Sequence, residues 1–385
     1  MVPNPSRQHK QIKLEFFQGR DDILNAAARI MSTERAVLWE DMEILGRRGM
    51  GKTYVLLKIR SRAPQNFLTM YLPGRSTTEI DFLSEFLMVF EREQQAKQDH
   101  AVSFADLFAS IHAGQKSGLS AITEALARID DSCILILLDD AELIPIKALL
   151  ALKSAVYHAR LLQNKKVLVV LASCESVSEN LKKSGLSHAE AWTIPFHVGY
   201  LGLEETISLL SRHYPLWSQK SLKIIYQKTS GYPPLIQMYG SAYHSLVETD
   251  DEFAPFRVLD GLEIQTDSNS SKILGAMVDS TKRLVFEKAS QDIISKCDAH
   301  VKKALWQWYE HGWRQEPSDA EWKTAQMIAE LGGTANFAAI KKAYGRNPAP
   351  QLKRAVKKNI IELRGRGIYA LPHKFIAQAI KEKIR

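Results

Sequence analysis

Cysteine is scarce in this 385-residue chain: Cys133, Cys174 and Cys297 are the only three, far apart in sequence. Three scattered thiols exclude a disulfide scaffold and a zinc-ligand cluster. Long apolar runs are lacking too; none approaches the ~20 residues that span a bilayer, so no membrane contact is expected. Met1 to Lys13 is polar and basic, without the apolar stretch of a secretory leader. Low-complexity tracts and internal repeats are absent. With 45% hydrophobic and 24% charged residues, what remains is a globular protein of two or three domains, expected in the cytoplasm.

Acids are nearly missing from one end. Between Lys341 and Arg385, 13 Lys and Arg meet only Glu362 and Glu382, while the whole chain carries +8. Residues 1–340 are therefore slightly acidic, and the tail holds all of the positive excess. A localised basic face is the electrostatic footprint of a nucleic-acid binder. A solvated Lys-rich surface has the same composition.

The most specific motif is Gly46-Arg47-Arg48-Gly49-Met50-Gly51-Lys52-Thr53. It fits G-x-x-x-x-G-K-[ST] at every fixed position. Gly46, Gly49 and Gly51 let backbone N–H groups, including those of Met50 and Tyr54, converge on phosphate oxygens. Lys52 reaches the β- and γ-phosphates, and the Thr53 hydroxyl binds Mg²⁺. The context is right: a strand-like Met42 to Leu45 precedes the loop and a helix-like Thr53 to Arg60 follows it, so the helix N-terminus faces the phosphates.

A second motif strengthens the first. Cys133 to Leu138 is continuously apolar and ends in Asp139-Asp140, as a strand buried on both faces of a parallel sheet does. Ligands bind at that end of such strands. Asp139 is expected to hold Mg²⁺ and Asp140 to orient the attacking water. Ser173, at the tip of the apolar run Val167 to Ala172, is a candidate γ-phosphate contact or the cap of its own turn.

Strand-like segments at 42–45, 66–72, 133–139 and 167–172 alternate with helical stretches, which predicts an α/β fold with a parallel sheet. Residues 91–120 read as polar and irregular, an insertion or an exposed helix and loop. The expected domains are a flexible arm at 1–15, an ATPase core at 16–200, a helical lid at 201–247 broken at Gly231-Tyr232-Pro233-Pro234, a linker and packing region at 248–318, and a C-terminal domain at 319–385. Gln265 to Ser271 is the best linker candidate. Trp306, Trp308, Trp313 and Trp322 read as a packing cluster. In the tail, three helices (Asp319 to Leu331, Phe337 to Tyr344, Pro350 to Lys358) precede a hairpin turning at Gly365-Arg366-Gly367. That is the layout of a winged helix. Lys353, Arg354, Lys357 and Lys358 lie on its recognition helix, and Arg364 and Arg366 on its wing.

The ordered set resembles the AAA+/STAND branch of P-loop ATPases with a C-terminal winged helix, a group that includes origin-recognition initiators, transposition ATPases, archaeal-type ATPases and NB-ARC switch proteins. The resemblance covers roughly 16–245 and 319–385. It implies a P-loop NTPase core with a helical lid, ATP and Mg²⁺ as ligands, homo-oligomers when ATP is bound, a partner protein, and duplex DNA. Phe17-Gln18-Gly19-Arg20 is similar to the family's F-x-G-R motif near adenine and ribose, which assigns Gly19 and Arg20 to nucleotide binding. Asp139-Asp140 is similar to its hhhhD[DE] motif, with Asp where many members have Glu. Ser173 falls at the sensor 1 position. Gly231-Tyr232-Pro233 is similar to the G-x-P lid motif, which assigns Pro233 to the site. His373 resembles a winged-helix His that contacts nucleotide in some switch members.

Two departures bear on rate. No Arg occurs from Leu161 to Ser211, where many relatives carry an arginine finger; Arg160 and Lys182 are the candidate substitutes. No Arg follows Pro233-Pro234-Leu235 at the sensor 2 position. An arginine finger contributes ~10³–10⁵ in rate, so slow hydrolysis is expected, which suits a nucleotide-controlled switch. One reading is an initiator, transposition or DNA-regulatory ATPase. Its alternative is a signalling or defence ATPase whose winged helix is an internal module. A metabolic P-loop kinase lacks support, since no second-substrate lid is evident.

Overall fold

The computed structural model describes residues 19–34, 39–76, 78–96, 103–129, 133–185, 193–213, 219–249, 294–298, 300–307, 309–310, 317–358 and 360–384. The arm at 1–15, Phe17, Gln18, the linker at 265–271, Trp308 and Trp313 lie outside them. The chain divides into two compact units, Met1–His213 and Tyr214–Arg385.

In the first unit the apolar runs become one parallel sheet. Its strands are β1 (Asp41–Leu45), β2 (Leu68–Pro73), β3 (Cys133–Asp139), β4 (Lys166–Ser173) and β5 (Thr193–His197), in the order β2-β3-β4-β1-β5. The helices between them are α1 (Asp21–Ser32), α2 (Lys52–Arg62), α3 (Glu79–Gln95), α4 (Ala105–His112), α5 (Gly118–Ala127), α6 (Ile146–Leu162), α7 (Val177–Lys183) and α8 (Leu203–His213). β3 is buried at every position, as its unbroken apolar sequence requires. β5 escapes sequence reading: Thr-Ile-Pro-Phe-His lacks an apolar run, and its Pro195 is tolerated because the strand lies at the sheet edge.

Alternate side chains on a strand face opposite sides. Ile134, Ile136 and Leu138 of β3 and Val167, Val169 and Leu171 of β4 enter one core with α3, α4, α5 and α6. That core corrects the expectation for 91–120. α3 continues to Gln95 with Phe90 buried, and Phe104, Leu107 and Ile111 are buried too. Phe90 stacks on Phe104 at 5.7 Å. The apolar anchors are few and widely spaced among polar residues, so the period is hard to see in the sequence.

Beneath the sheet, at the start of β1, Asp41 is buried with Lys153 and Arg160 of α6. It also accepts the Val169 N–H at 3.0 Å. Burial opposes its charge, but Arg160 and Lys153 hold Asp41 below the usual carboxylate range. Arg160 is thereby committed inside the fold, donating to Asp41 and to the Val167 carbonyl.

The second unit contains α9 (Gln219–Thr229), α10 (Pro233–Thr249), helical residues at 294–298 and 300–307, and a C-terminal group. This group comprises α11 (Asp319–Glu330), β6 (Thr334–Asn336), α12 (Phe337–Tyr344), α13 (Ala349–Lys357), β7 (Glu362–Gly365), β8 (Ile368–Ala370) and α14 (Lys374–Ile384). The strands form an antiparallel sheet in the order β6-β8-β7. β6, a three-residue strand, and α14 were not legible in the sequence. Trp306 and Trp322 meet edge to face at 5.9 Å. Tyr232, just before α10, stacks on His373 at 5.8 Å with the rings 9° from parallel. Among the described residues no helix is long and apolar enough to cross a membrane.

Candidate active site

The loop between β1 and α2 lies at the C-terminal ends of the strands, where ligands bind in open α/β sheets. Its first glycine is pinned: the Gly46 N–H donates to the Ser173 carbonyl at 3.1 Å. Its last, Gly51, has φ 87°, a left-handed conformation that favours glycine. A Cβ at Gly51 would meet nothing within 4 Å, so the space over the start of α2 is open.

Several helices of this chain carry a side-chain N-cap: Thr78 on α3, Ser117 on α5, Ser176 on α7 and Asn336 on α12. α2 has none. The first-turn N–H groups of a helix need a partner, and here the aligned dipoles favour an anion. A phosphate fits this open, uncapped and glycine-framed helix start.

Lys52 is the first residue of α2 and is only 6% exposed. Its ammonium donates to the Gly46 carbonyl at 2.8 Å and the Arg47 carbonyl at 3.2 Å, and lies 3.3 Å from Cys174 Sγ. The chain thus holds the lysine curled over its own loop. Met50 is buried and Tyr54 is exposed.

The two motifs meet at one hydrogen bond. Thr53 Oγ1 donates to Asp139 Oδ2 at 2.7 Å, across 86 positions of sequence. Tyr71 of β2 donates to the same oxygen at 2.7 Å, and the Asp140 N–H reaches Asp139 Oδ1 at 3.1 Å. Burial and then the adjoining Asp139 carboxylate push the Tyr71 phenol well above its usual range. A hydroxyl beside a carboxylate is a hard oxygen donor pair of the kind Mg²⁺ takes, with water and phosphate completing the shell. Thr53 and Asp139 would hold the ion, which would neutralise phosphate charge. Tyr71 was not recognised in the sequence; its signal was an alternate residue on the strand paired with β3, two positions before Pro73, which pairs with Asp139.

The remaining candidates separate. Asp140 is exposed, with φ 46° and ψ 43°; burial of its surroundings, then Asp139 and Glu142, raise its pKa. Ser173 shares its strand face with Val169 and Leu171, opposite that of Asp139. It is fully buried and its hydroxyl has no hydrogen-bond partner. The next residue, Cys174, is the one beside Lys52. Burial pushes the Cys174 thiol up to about 11, with Lys52 opposing and Glu142 adding to the rise, so it stays protonated at neutral pH.

Gly19 and Arg20 lead into α1, and Arg20 donates to the Gly199 carbonyl. They pack the start of the described chain against the segment before α8. Pro233 begins α10 in the second unit.

The basic residues of the tail divide into two sets. Arg354 and Lys358 donate to the buried carboxylate of Glu321 at 3.1 and 2.7 Å. Arg364 binds Glu362 and the Leu371 and Pro372 carbonyls. Lys353 and Arg366 are exposed, as are Lys341, Lys342 and Arg346. The Lys357 side chain lies outside the described features.

Comparison with known proteins bears on the fold. Residues 42–181 match the family described as AAA domain. The chain carries an AAA domain over that stretch, on a P-loop NTPase α/β fold. No curated protein matches the sequence. Among solved structures, the Walker-type ATPase Paby2304 of Pyrococcus abyssi is similar at 14% identity and TM-score 0.56, over 94% of this chain and 97% of that one. The ORC2 protein of Aeropyrum pernix, solved as ADPNP-ADP complexes, is similar at 13% identity and TM-score 0.59, over 96% of this chain and 95% of that one.

Proposed function

We propose that this protein is a slowly hydrolysing ATPase that serves as a nucleotide-controlled switch and binds duplex DNA through a C-terminal winged helix. One observation carries the nucleotide part: the 2.7 Å bond from Thr53 to Asp139 beside the buried Lys52. It joins a phosphate loop to a metal-binding acid, and chance motifs do not converge in this way.

The roles follow from position. N–H groups of the loop and of the first turn of α2 bind the β- and γ-phosphates. Lys52 exchanges its loop carbonyls for phosphate oxygens. Thr53 and Asp139 hold Mg²⁺, with Tyr71 fixing the carboxylate. Gly19 and Arg20 are assigned to the base and ribose. With Arg160 engaged by Asp41, no arginine finger is assigned, and this supports slow turnover. Binding of a labelled ATP analogue, with and without Mg²⁺, tests the assignment; absence of binding in both conditions sinks it.

The DNA part rests on charge location. The order of α11, α12 and α13 with the β6-β8-β7 sheet supports the winged-helix reading. The signalling alternative gains if the tail's cations are consumed by acids elsewhere. Arg354 and Lys358 do find an acid, but Glu321 belongs to the same C-terminal group. Lys341, Lys342, Arg346, Lys353 and Arg366 stay exposed, which favours the DNA reading. Anisotropy of a labelled duplex at low salt is the measurement; no binding there returns the region to an internal regulatory role.

A further inference from the structure

We propose that Arg75, at the tip of β2, is the arginine that stabilises charge on the γ-phosphate during hydrolysis, supplied in cis. The inference rests on the reading of this site as an ATPase.

The backbone places the residue. β2 lies beside β3, and Pro73 pairs with Asp139 where both strands end. The Gly74 N–H donates to the Asp139 carbonyl at 2.7 Å. A Cβ at Gly74 would collide with the Asp139 and Asp140 carbonyl oxygens, so only glycine allows this approach. Arg75 comes next, its Cα about 3.8 Å from that of Gly74. Its own N–H turns back to the Pro73 carbonyl at 2.8 Å. Beyond it, Ser76 is buried and donates to Glu85 of α3 at 3.0 Å. The chain is thus held on both sides of Arg75, and Arg75 itself is exposed.

Sheet order sets where it works. The phosphate loop follows β1, Asp139 ends β3, and the strands run β2-β3-β4-β1. Lys52 and Arg75 therefore approach Asp139 from opposite sides. A γ-phosphate that shares its metal with Asp139 lies between the two cations. The electrostatics agree. The Tyr71 phenol, 2.7 Å from the Asp139 carboxylate, is pushed up first by burial, and Arg75 opposes that rise. The guanidinium is felt at a hydroxyl that touches the metal-binding acid.

Availability selects it among the arginines. Arg20 is bonded to the Gly199 carbonyl, and Arg160 to Asp41 and the Val167 carbonyl. Arg47 and Arg48 belong to the phosphate loop itself. The Arg75 guanidinium has no hydrogen bond or ion pair to any described residue. Its planar fork suits two oxygens of one phosphate.

In the step itself the attacking water oxygen forms a bond to the γ-phosphorus, and the bond from phosphorus to the β–γ bridging oxygen breaks. ADP leaves with that oxygen and its electron pair. One water proton stays on the phosphate and the other passes to solvent. Arg75 keeps its protons throughout and neutralises the charge shared by the γ-oxygens. An arginine in cis is compatible with slow turnover, on the order of 10⁻² s⁻¹.

The test uses the full chain, with equilibrium binding of labelled ADP and single-turnover hydrolysis of ATP. Arg75→Ala is expected to bind ADP within about two-fold of wild type, since ADP lacks the γ-phosphate, and to lose on the order of 10³-fold in rate. A rate within about three-fold of wild type overturns the assignment, as does Arg48→Ala carrying the whole loss. Should Arg75→Ala fail to fold, Arg75→Lys decides. It keeps the charge but not the fork, so ADP binding should hold and the rate fall; an unchanged rate overturns the proposal. Mixing Arg75→Ala with Asp139→Asn should restore nothing. Recovered activity would mean that the arginine serves a neighbouring copy, which overturns the cis role. A wild type that binds ATP and never hydrolyses it overturns the Arg75 role and leaves the nucleotide site standing. A wild type that binds no nucleotide overturns both.

Discussion

Tyr71 and Asp139 lie on neighbouring strands, and the phenol holds one carboxylate oxygen at 2.7 Å while Thr53 holds the same oxygen at 2.7 Å. Partners of this outer kind typically change metal affinity by 10–100-fold. Tyr71→Phe keeps the ring and removes only the hydrogen bond. It should raise the Mg²⁺ concentration for half-maximal effect by about ten-fold, with metal-free nucleotide binding unchanged. A Mg²⁺ titration of analogue binding reads this directly. Identical titration curves for the two proteins would remove Tyr71 from the site.

Lys52→Ala should weaken ATP binding by about 2–5 kcal/mol, the usual loss when one partner of a buried charge pair is truncated. Its printed oxygen partners are backbone carbonyls of the loop, at Gly46 and Arg47, so the fold should survive. Equilibrium binding decides, with a thermal melt as the folding control. Wild-type affinity in the variant would falsify the assignment of the phosphate site.

The C-terminal region has an acid-sensitive joint. Burial would raise the Glu321 pKa, but Lys358 and the Ser318 N–H hold it at about 2, below the ordinary 4.5. A depressed carboxylate binds fewer protons in the folded state. Its stabilisation is therefore complete above pH 4.5 and fades as the pH falls toward 2. Glu321→Gln should cost about 1–3 kcal/mol at neutral pH, and the gap from wild type should close on acidification. Melts followed by Trp fluorescence, reported in part by Trp306 and Trp322, measure both. A gap that is constant from pH 7 to pH 3 refutes the linkage.

For DNA, the structure chooses which cations to change. Reversing Arg354 or Lys358 also breaks the Glu321 cluster, so loss of binding there would confound charge with folding. Lys353→Glu and Arg366→Glu avoid that. Each should weaken duplex binding without altering ATP binding, and each should reduce the salt slope by about 1 if it touches a phosphate. Anisotropy across a salt series is the assay; an unchanged slope in both variants moves the DNA surface elsewhere.

The nucleotide site was legible because its chemistry is local. Gly46 to Thr53 and Asp139 each sit in a short contiguous signal, and sheet geometry does the rest. Tyr71 and Cys174 were not legible, because their places depend on which strand lies beside which. Ser173 was singled out by its place at the tip of an apolar run; strand alternation turns it away from Asp139 and leaves Cys174 beside Lys52. β5 and β6 were missed because one contains proline and the other is three residues long. In the tail, composition gave the charge but not its use: nothing in the spacing of Arg354 and Lys358 reveals that Glu321, more than thirty residues earlier, claims both.

The stacking of Tyr232 on His373 has a mechanical meaning. The two turns it joins, Gly231-Tyr232-Pro233 at the head of α10 and Leu371-Pro372-His373 after β8, are far apart in sequence and are face to face in space. Burial pushes the His373 imidazole down to about 4, so the ring is uncharged at neutral pH. Lys374 adds a bond to the Gln227 carbonyl at 3.2 Å, and the Tyr309 hydroxyl donates to the Ile360 carbonyl at 2.6 Å. The head of α10 and the turn after β8 are thus tied side by side, and separating them would cost both the ring stack and the Lys374 bond.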